Sequence, residues 1–129
     1  MSLLDPQARS ERGRQQQARI LATAATAASA AREPDTLFES SWRDYIFAEV
    51  WTRPGLDLRA RYLITLASAA SADTPAEILD GYVRGALANR ELSLTELREA
   101  ALHFAIYGGW SRGAMLDQLS KASCRVAAI

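Results

Sequence analysis

Helix-start signals recur along this chain, while strand signals are missing. Thr36 with Glu39, and Ser93 with Glu96, each have the spacing of a capping box, in which two side chains pair with backbone N–H groups of the first helical turn. No run of alternating β-branched residues lies between turn residues, as a half-buried strand would require. The sequence therefore predicts an all-α protein.

Further start and stop signals divide the chain into about six helices. Asp57 can cap the helix that follows the break Arg-Pro-Gly, because its carboxylate can accept from backbone N–H groups. Thr74 with Glu77 forms another capping box, with proline at the first helical position. The helix that starts at the Ser93 box ends at Gly108-Gly109. The expected helices are 6–31, 37–51, 58–71, one from 75 that carries Tyr82, one from 94 to 108, and 111–122.

Size and composition limit what this chain can form. Its 129 residues are enough for one domain with a hydrophobic core and too few for two ordinary ones, so a single domain over residues 1–129 is expected. Gly81 and Gly85 lie four residues apart in an alanine-rich chain, which predicts a compact bundle whose helices approach closely. Basic and acidic residues number 15 each, and the resulting zero net charge argues against a nucleic-acid partner.

Neither a membrane segment nor a disulfide is expected. The alanine-rich stretch that begins at Ile20 is too short and too polar to span a bilayer, and the first residues lack the basic and apolar regions of a secretion signal. A cytoplasmic location and no membrane partner are therefore expected. Cys124 is the single cysteine, which excludes an intrachain disulfide, and one histidine without a cysteine pair makes a metal site unexpected.

One carboxylate falls on a helix face that is predicted to be buried. The apolar stripe of the second helix is marked by Phe38, Trp42 and Tyr45. Glu49 is the next position along this stripe by helical spacing. A carboxylate on an apolar face must be paired or have a raised pKa. Glu49 is therefore either the partner of a nearby arginine, such as Arg53 or Arg59, or a candidate acid or base.

The fifth helix carries the second candidate group. Glu99, His103 and Tyr107 are four residues apart, so their side chains stack along one helix face. His103 is the only histidine, and therefore the only side chain whose ordinary pKa lies near neutrality. It is either a structural residue bonded to Glu99 or a catalytic residue, with Tyr107 and Trp110 as polar and aromatic neighbours.

Three stretches of the chain keep a distinctive order and spacing over about residues 37–122: EVWTRPGLDLRARYLITLA, YVRGALANRELSLTEL and LHFAIYGGWSRGAMLDQL. Taken together they resemble the carboxymuconolactone decarboxylase family, and W-x-R-P-G-L-D-x-R-x-R is typical of its decarboxylase branch. The resemblance implies an all-α, alkylhydroperoxidase D-like fold and a ring-like homo-oligomer, a trimer or hexamer. It also implies decarboxylation, without a cofactor, of a small carboxylate substrate such as 4-carboxymuconolactone or a related acid.

That reaction requires a cation for the remaining carboxylate, and donors or an acid for the dienolate that forms as carbon dioxide leaves. The candidate cations are Arg53, Arg59, Arg61 and Arg84. The candidate donors and acids are Glu49, Tyr82, His103 and Tyr107, and Trp110 is a further candidate substrate contact. Arg84 could instead form an i,i+4 ion pair with Asp80.

Tyr82 stands where the family usually has a histidine, in the pattern H-x-R-G/A-A-L. With an ordinary pKa near ~10, tyrosine is a poor general base at neutral pH, which leaves His103 as the one imidazole. Tyr82 either lines the pocket close to His103 as a hydrogen-bond donor, or packs in the core with its hydroxyl bonded to a backbone carbonyl.

These residues and the resemblance are compatible with two functions and argue against a third. The first is a decarboxylase of a small carboxylated lactone or related acid, including an enzyme recruited to tailor a natural product. The second is a non-catalytic oligomeric or ligand-binding protein, which the sequence does not separate from the first. The third, a thiol peroxidase of the alkylhydroperoxidase D branch, is excluded because residues 74–82 read TPAEILDGY and contain no Cys-x-x-Cys pair.

Overall fold

A computed structural model describes residues 5–23 and 35–127 of the chain. Within these residues every regular element is helical and no strand is present, which confirms the all-α prediction. The elements are α1 (Pro6–Ile20), α2 (Leu37–Ser41), a π-helix (Trp42–Val50) that continues α2, α3 (Leu58–Ser71), α4 (Ala76–Ala88), α5 (Leu94–Gly108) and α6 (Trp110–Ala127). None of these described helices combines the length and apolar character that crossing a bilayer needs.

The described residues fall into two compact units. The first unit holds α1 up to Arg19, Thr23, α2, the π-helix and the loop that ends at Leu56. The second unit holds residues 57–127 together with the short segment 20–22. The single domain expected over residues 1–129 stays a prediction.

A buried arginine organises the first unit. The guanidinium of Arg43 lies 2.5 Å from a carboxylate oxygen of Asp35 and 2.7 Å from one of Asp44. The hydroxyl of Ser10 on α1 donates to Asp44 at 2.7 Å, which ties α1 to the π-helix. Although burial acts to raise the pKa of Asp44, the hydrogen bonds from Arg43 and Ser10 lower it below its ordinary value. The carboxylates of Asp35 and Asp44 therefore offset the desolvation cost of burying the Arg43 guanidinium.

The apolar stripe predicted for the second helix is wrong at two of its three marker residues, Phe38 and Tyr45, while Trp42 is half-buried. Phe38 is 79% exposed and Tyr45 is 59% exposed. The rings of Trp42, Phe47 and Trp51 follow one another instead, with centroids 5.3 Å and 6.2 Å apart. At Tyr45 the reason is the π-helix, because its backbone bonds join residues five apart and shift the buried face away from a spacing of three and four. Phe38 precedes the π-helix and lies in α2, which has no buried residue.

Helix ends in the second unit follow the predicted caps in two of three cases. The Asp57 carboxylate accepts from Ala60 N–H at 2.8 Å, and Ser93 forms the complete capping box with Glu96. The Thr74 box is wrong, because the helix starts one residue later, with Pro75 as a cap residue that has no side-chain bond. The bounds of α5 agree with those predicted, whereas α6 extends beyond 111–122 at both ends.

The first helix and the cap at Thr36 also differ from expectation. α1 ends at Ile20, and Ala22 has a positive φ of 50°, so the backbone leaves the helix well before 31. Residues 24–31 of the predicted helix lie outside the described residues. Thr36 accepts from the Glu39 N–H at 3.1 Å as predicted, while the Glu39 carboxylate accepts from the Thr36 hydroxyl at 3.0 Å.

A close approach of backbones fixes the core of the second unit. A Cβ atom on Gly85 would lie 1.6 Å from the carbonyl oxygen of Ile20, so only glycine fits there. Tyr62, fully buried, donates to that same oxygen at 2.8 Å and accepts from Asn89 at 3.1 Å. The prediction that Gly81 and Gly85 mark a close contact is confirmed, and α4 packs here against residues 20 and 21.

Candidate functional site

A cleft of about 580 Å³ lies between α3 and α5 of the second unit. Its size falls within the range that small-molecule sites usually have. The apolar part of the wall is formed by Leu63, Leu66, Ala67, Leu92, Ala100, Phe104 and Leu116. The polar part is formed by Arg59, Glu96, Glu99, His103 and Tyr107. An apolar wall with a few converging polar groups is the usual composition of a binding site for a small molecule.

The periodicity of α5 places its polar groups along this wall. Glu96, Glu99, His103 and Tyr107 are spaced by three or four residues and therefore share one helix face. The cap at Ser93 fixes where that face begins. The rings of His103 and Tyr107 have centroids 5.3 Å apart, tilted by 37°. The expected stacking of these two residues is confirmed, and both side chains are open to solvent.

The cation of the cleft is Arg59, which is held by two acceptors. Its Nη2 atom forms an ion pair with Oε2 of Glu96, and its Nη1 donates to the backbone carbonyl of Glu91 at 3.2 Å. The hydrogen bond from Arg59, assisted by the backbone N–H of Ser93, lowers the pKa of Glu96 to about 2. The guanidinium therefore lies at the cleft with a resident carboxylate already beside it.

Tyr82 lies in the core of the second unit, 6% exposed. Among the described residues, those that line the cleft with His103 do not include it. Burial raises the pKa of Tyr82 to about 12, so its hydroxyl keeps its proton at neutral pH. Its predicted role as a hydrogen-bond donor to the substrate stays a prediction.

Glu49 and Arg53 belong to the first unit. The side chain of Glu49 is 11% exposed, and its Oε1 lies 3.0 Å from Nε of Arg9 on α1. These two atoms form an ion pair, but their relative orientation does not satisfy the geometry of a hydrogen bond. An ion pair for Glu49 was expected, but its partner Arg9 was missed because a contact across 40 positions leaves no periodic signal in the sequence. Arg53 is exposed.

Arg84, another candidate cation of the second unit, forms the ion pair predicted from its spacing. Its Nη1 lies 2.5 Å from Oδ2 of Asp80, and its Nη2 donates to the carbonyl of Leu21 at 3.5 Å. Asp80 also accepts from the hydroxyl of Ser123 at 2.8 Å. These bonds hold α4, α6 and the segment at Leu21 together. Arg61 on α3 is half-buried.

Trp110 lines a different groove from His103. This second groove, of about 620 Å³, lies between α5 and α6, and Glu99 borders both cavities. Trp110 is 69% exposed there, and Arg98 and Asp117, which form an ion pair at 2.8 Å, also line the groove. The structure thus brings Arg59, His103 and Tyr107 together and places Trp110 elsewhere.

Sequence reasoning missed the apolar wall and the position of Glu96. Glu96 was recognised as a capping residue, and its spacing of seven from His103 also predicts that both share the same face of α5. Within residues 5–23 and 35–127 no cluster of three histidine, cysteine or carboxylate side chains could hold a metal ion. The described cleft therefore offers an imidazole, a phenol, a guanidinium and apolar walls, which can bind an anion and transfer a proton.

Comparison with known proteins gives two findings. Residues 36–117 match the model of the Carboxymuconolactone decarboxylase family, and every residue that lines the cleft falls inside this range. Over 66 residues the chain is 41% identical to nitrosuccinic acid decarboxylase npaB of Metarhizium robertsii, which covers 51% of this chain and 45% of that protein. The chain thus spans about half the length of the curated relative it matches.

Proposed function

Because the chain belongs to the carboxymuconolactone decarboxylase family, we propose that it decarboxylates a small carboxylic acid in the cleft between α3 and α5. The observation that carries this proposal is the position of His103, the single histidine of the chain, on the wall of a largely apolar cleft. Tyr107 lies beside it, and Arg59 supplies a cation in the same cleft. A relative named as a decarboxylase supports the same reaction class.

The chemistry of the proposed step sets a role for each of these groups. When the bond to the carboxylate breaks, carbon dioxide leaves and its electron pair stays on the substrate, where an oxygen-bearing acceptor group must take it up. His103 in its protonated form then delivers a proton to the carbon atom that has lost the carboxylate. The carboxylate thus leaves as carbon dioxide, and the proton replaces it in a new C–H bond. Tyr107 donates a hydrogen bond to the charged oxygen of the intermediate. The apolar wall favours loss of the charged carboxylate group.

The substrate class follows from the same requirements. The acid needs an electron acceptor next to the carbon that loses carbon dioxide, and it gains affinity from a second carboxylate that Arg59 can bind. A carboxylated lactone fulfils both conditions through its conjugated carbonyl group. A nitro-substituted dicarboxylic acid such as nitrosuccinic acid fulfils them through its nitro group, if the carboxylate on the nitro-bearing carbon leaves.

Turnover of two acids tests the proposal. The purified protein is incubated with 4-carboxymuconolactone and, separately, with 2-nitrosuccinate, and carbon dioxide release and product formation are followed by a coupled assay and by proton NMR. We expect release from at least one acid above the rate of the buffer alone. Release from neither acid would contradict the proposal. If NMR titration then showed that both acids bind, the alternative of a ligand-binding member that has lost the chemistry would be supported.

A further inference from the structure

The cation of the cleft has a resident competitor. Among the described residues that line the cleft, Arg59 is the only arginine or lysine. Its partner Glu96 lines the same cleft, so any ligand carboxylate that approaches Arg59 meets a carboxylate of the protein already in place. An approaching anion therefore has to replace Glu96 or share the guanidinium with it.

The two oxygens of Glu96 have separate partners. Oε1 accepts from the backbone N–H of Ser93 at 3.0 Å and completes the cap of α5. Oε2 contacts the guanidinium of Arg59. The cap thus anchors Glu96 beside the cleft whether or not Oε2 keeps its contact, so a ligand can take the place of Oε2 without unfolding the start of α5.

The ion pair is weak enough to exchange. The side chains of Arg59 and Glu96 are 46% and 40% exposed, and ion pairs at such sites contribute little because water competes for both charges. Arg59 keeps its second bond to the carbonyl of Glu91, so its position does not depend on Glu96 alone. A guanidinium has five N–H donors, which leaves donors for a second acceptor.

We propose that Glu96 is a specificity-determining residue of the cleft: it occupies Arg59 in the free protein, and a substrate carboxylate must displace it. This inference rests on the proposed function for the identity of the substrate, but its effect on carboxylate binding is separable from turnover. Glu96 weakens the binding of every anion at Arg59. It thereby favours acids with a second group that binds elsewhere in the cleft, and a dicarboxylate can place its second carboxylate at the imidazole of His103.

Succinate, a dicarboxylate that lacks the electron acceptor needed for turnover, is the probe. Its dissociation constant is measured by NMR titration on the wild-type protein and on Glu96→Gln, which removes the charge but keeps a side chain that suits a capping box. We expect Glu96→Gln to bind succinate about two- to fivefold more tightly than the wild-type protein does. This ratio of dissociation constants corresponds to the usual free energy of an exposed ion pair. Arg59→Gln should abolish succinate binding, both as a single substitution and in combination with Glu96→Gln.

Two control variants and one uncharged control ligand separate competition at Arg59 from a general effect on the fold. Glu39→Gln neutralises the matching carboxylate beside the cap residue Thr36 of α2, in the other unit, and should leave succinate binding unchanged. Ser93→Ala weakens the cap of α5 without changing its charge and should not tighten binding. Dimethyl succinate, which is uncharged, should not distinguish Glu96→Gln from wild type.

The outcomes are distinct from those of the turnover assay. Tighter succinate binding by Glu96→Gln supports the inference even if neither acid is decarboxylated. Unchanged or weaker binding by Glu96→Gln overturns it, as does failure of both proteins to bind succinate, even if the wild-type protein is an active decarboxylase.

Discussion

At the scale of single residues, burial decides which chemistry Tyr82 can perform. The side chain is 6% exposed, and burial raises its pKa to about 12. A phenol in this state can donate a hydrogen bond but does not accept a proton as a general base at neutral pH. Because Tyr82 stands where the family usually has a histidine and His103 is the single histidine of the chain, the proposed mechanism assigns proton transfer to His103.

Tyr82→Phe should change the alkaline stability of the protein. The folded-state pKa of Tyr82 lies above its unfolded value, so its stabilising contribution is complete below about pH 10 and is lost as pH rises towards 12. Relative to Tyr82→Phe, the wild-type protein should lose about 1 kcal/mol of unfolding free energy between pH 8 and pH 11. Urea denaturation at the two pH values measures this, and a difference that stays constant would contradict the assigned burial.

At the scale of secondary-structure elements, the contact of α4 with the segment at Ile20 is the tightest constraint described. Gly85 lets the two backbones approach, and Tyr62 donates to the same carbonyl group that a side chain at position 85 would strike. The obstacle is backbone rather than the movable end of a side chain, so little relaxation is available.

Gly85→Ala should destabilise the protein by about 3 kcal/mol or more, because its methyl group overlaps a carbonyl oxygen that is fixed by a hydrogen bond. Gly55→Ala is the matched control, since a Cβ atom there has nothing within 4 Å, and its effect should stay within about 0.5 kcal/mol. Thermal or urea denaturation of both variants provides the comparison. Equal stability of the two variants would show that the close approach at Gly85 does not exist.

The sequence predicts elements well where local signals set them, and poorly where they do not. Asp57 and Ser93 cap helices as expected, because a cap depends on residues three positions apart. The π-helix was missed, since its five-residue bonds leave the same residue types in place and change only which of them face inward. In the cleft, His103 and Tyr107 follow from helical spacing, whereas the ion pair of Arg59 with Glu96 depends on how α3 and α5 pack.

At the scale of the whole molecule, several large apolar side chains of α5 and α6 face solvent in the single chain. The exposed fractions are 50% for Leu102, 69% for Ile106 and 69% for Trp110. Exposed apolar groups grouped on two neighbouring helices are typical of surfaces that bind another protein. We propose self-association to a trimer or hexamer, in line with the resemblance to the family.

Light scattering coupled to size-exclusion chromatography tests this proposal at micromolar concentration. We expect a mass of three or six chains for the wild-type protein, and a lower mass for Ile106→Lys, because a charge at this position would be buried on association. Gln118→Lys, at an exposed polar position of α6, is the control and should keep the wild-type mass. A stable wild-type monomer would contradict the proposal.

The central claim is that decarboxylation takes place in the cleft of His103, and the rate of carbon dioxide release from the better of the two acids tests it most directly. His103→Ala should lower kcat/KM by about 10²- to 10⁴-fold, the usual contribution of a positioned acid or base. Gln118→Ala, outside both cavities, should remain within about twofold of wild type when both variants are shown to be folded by circular dichroism. Carbon dioxide release by folded His103→Ala at the wild-type rate would contradict the account.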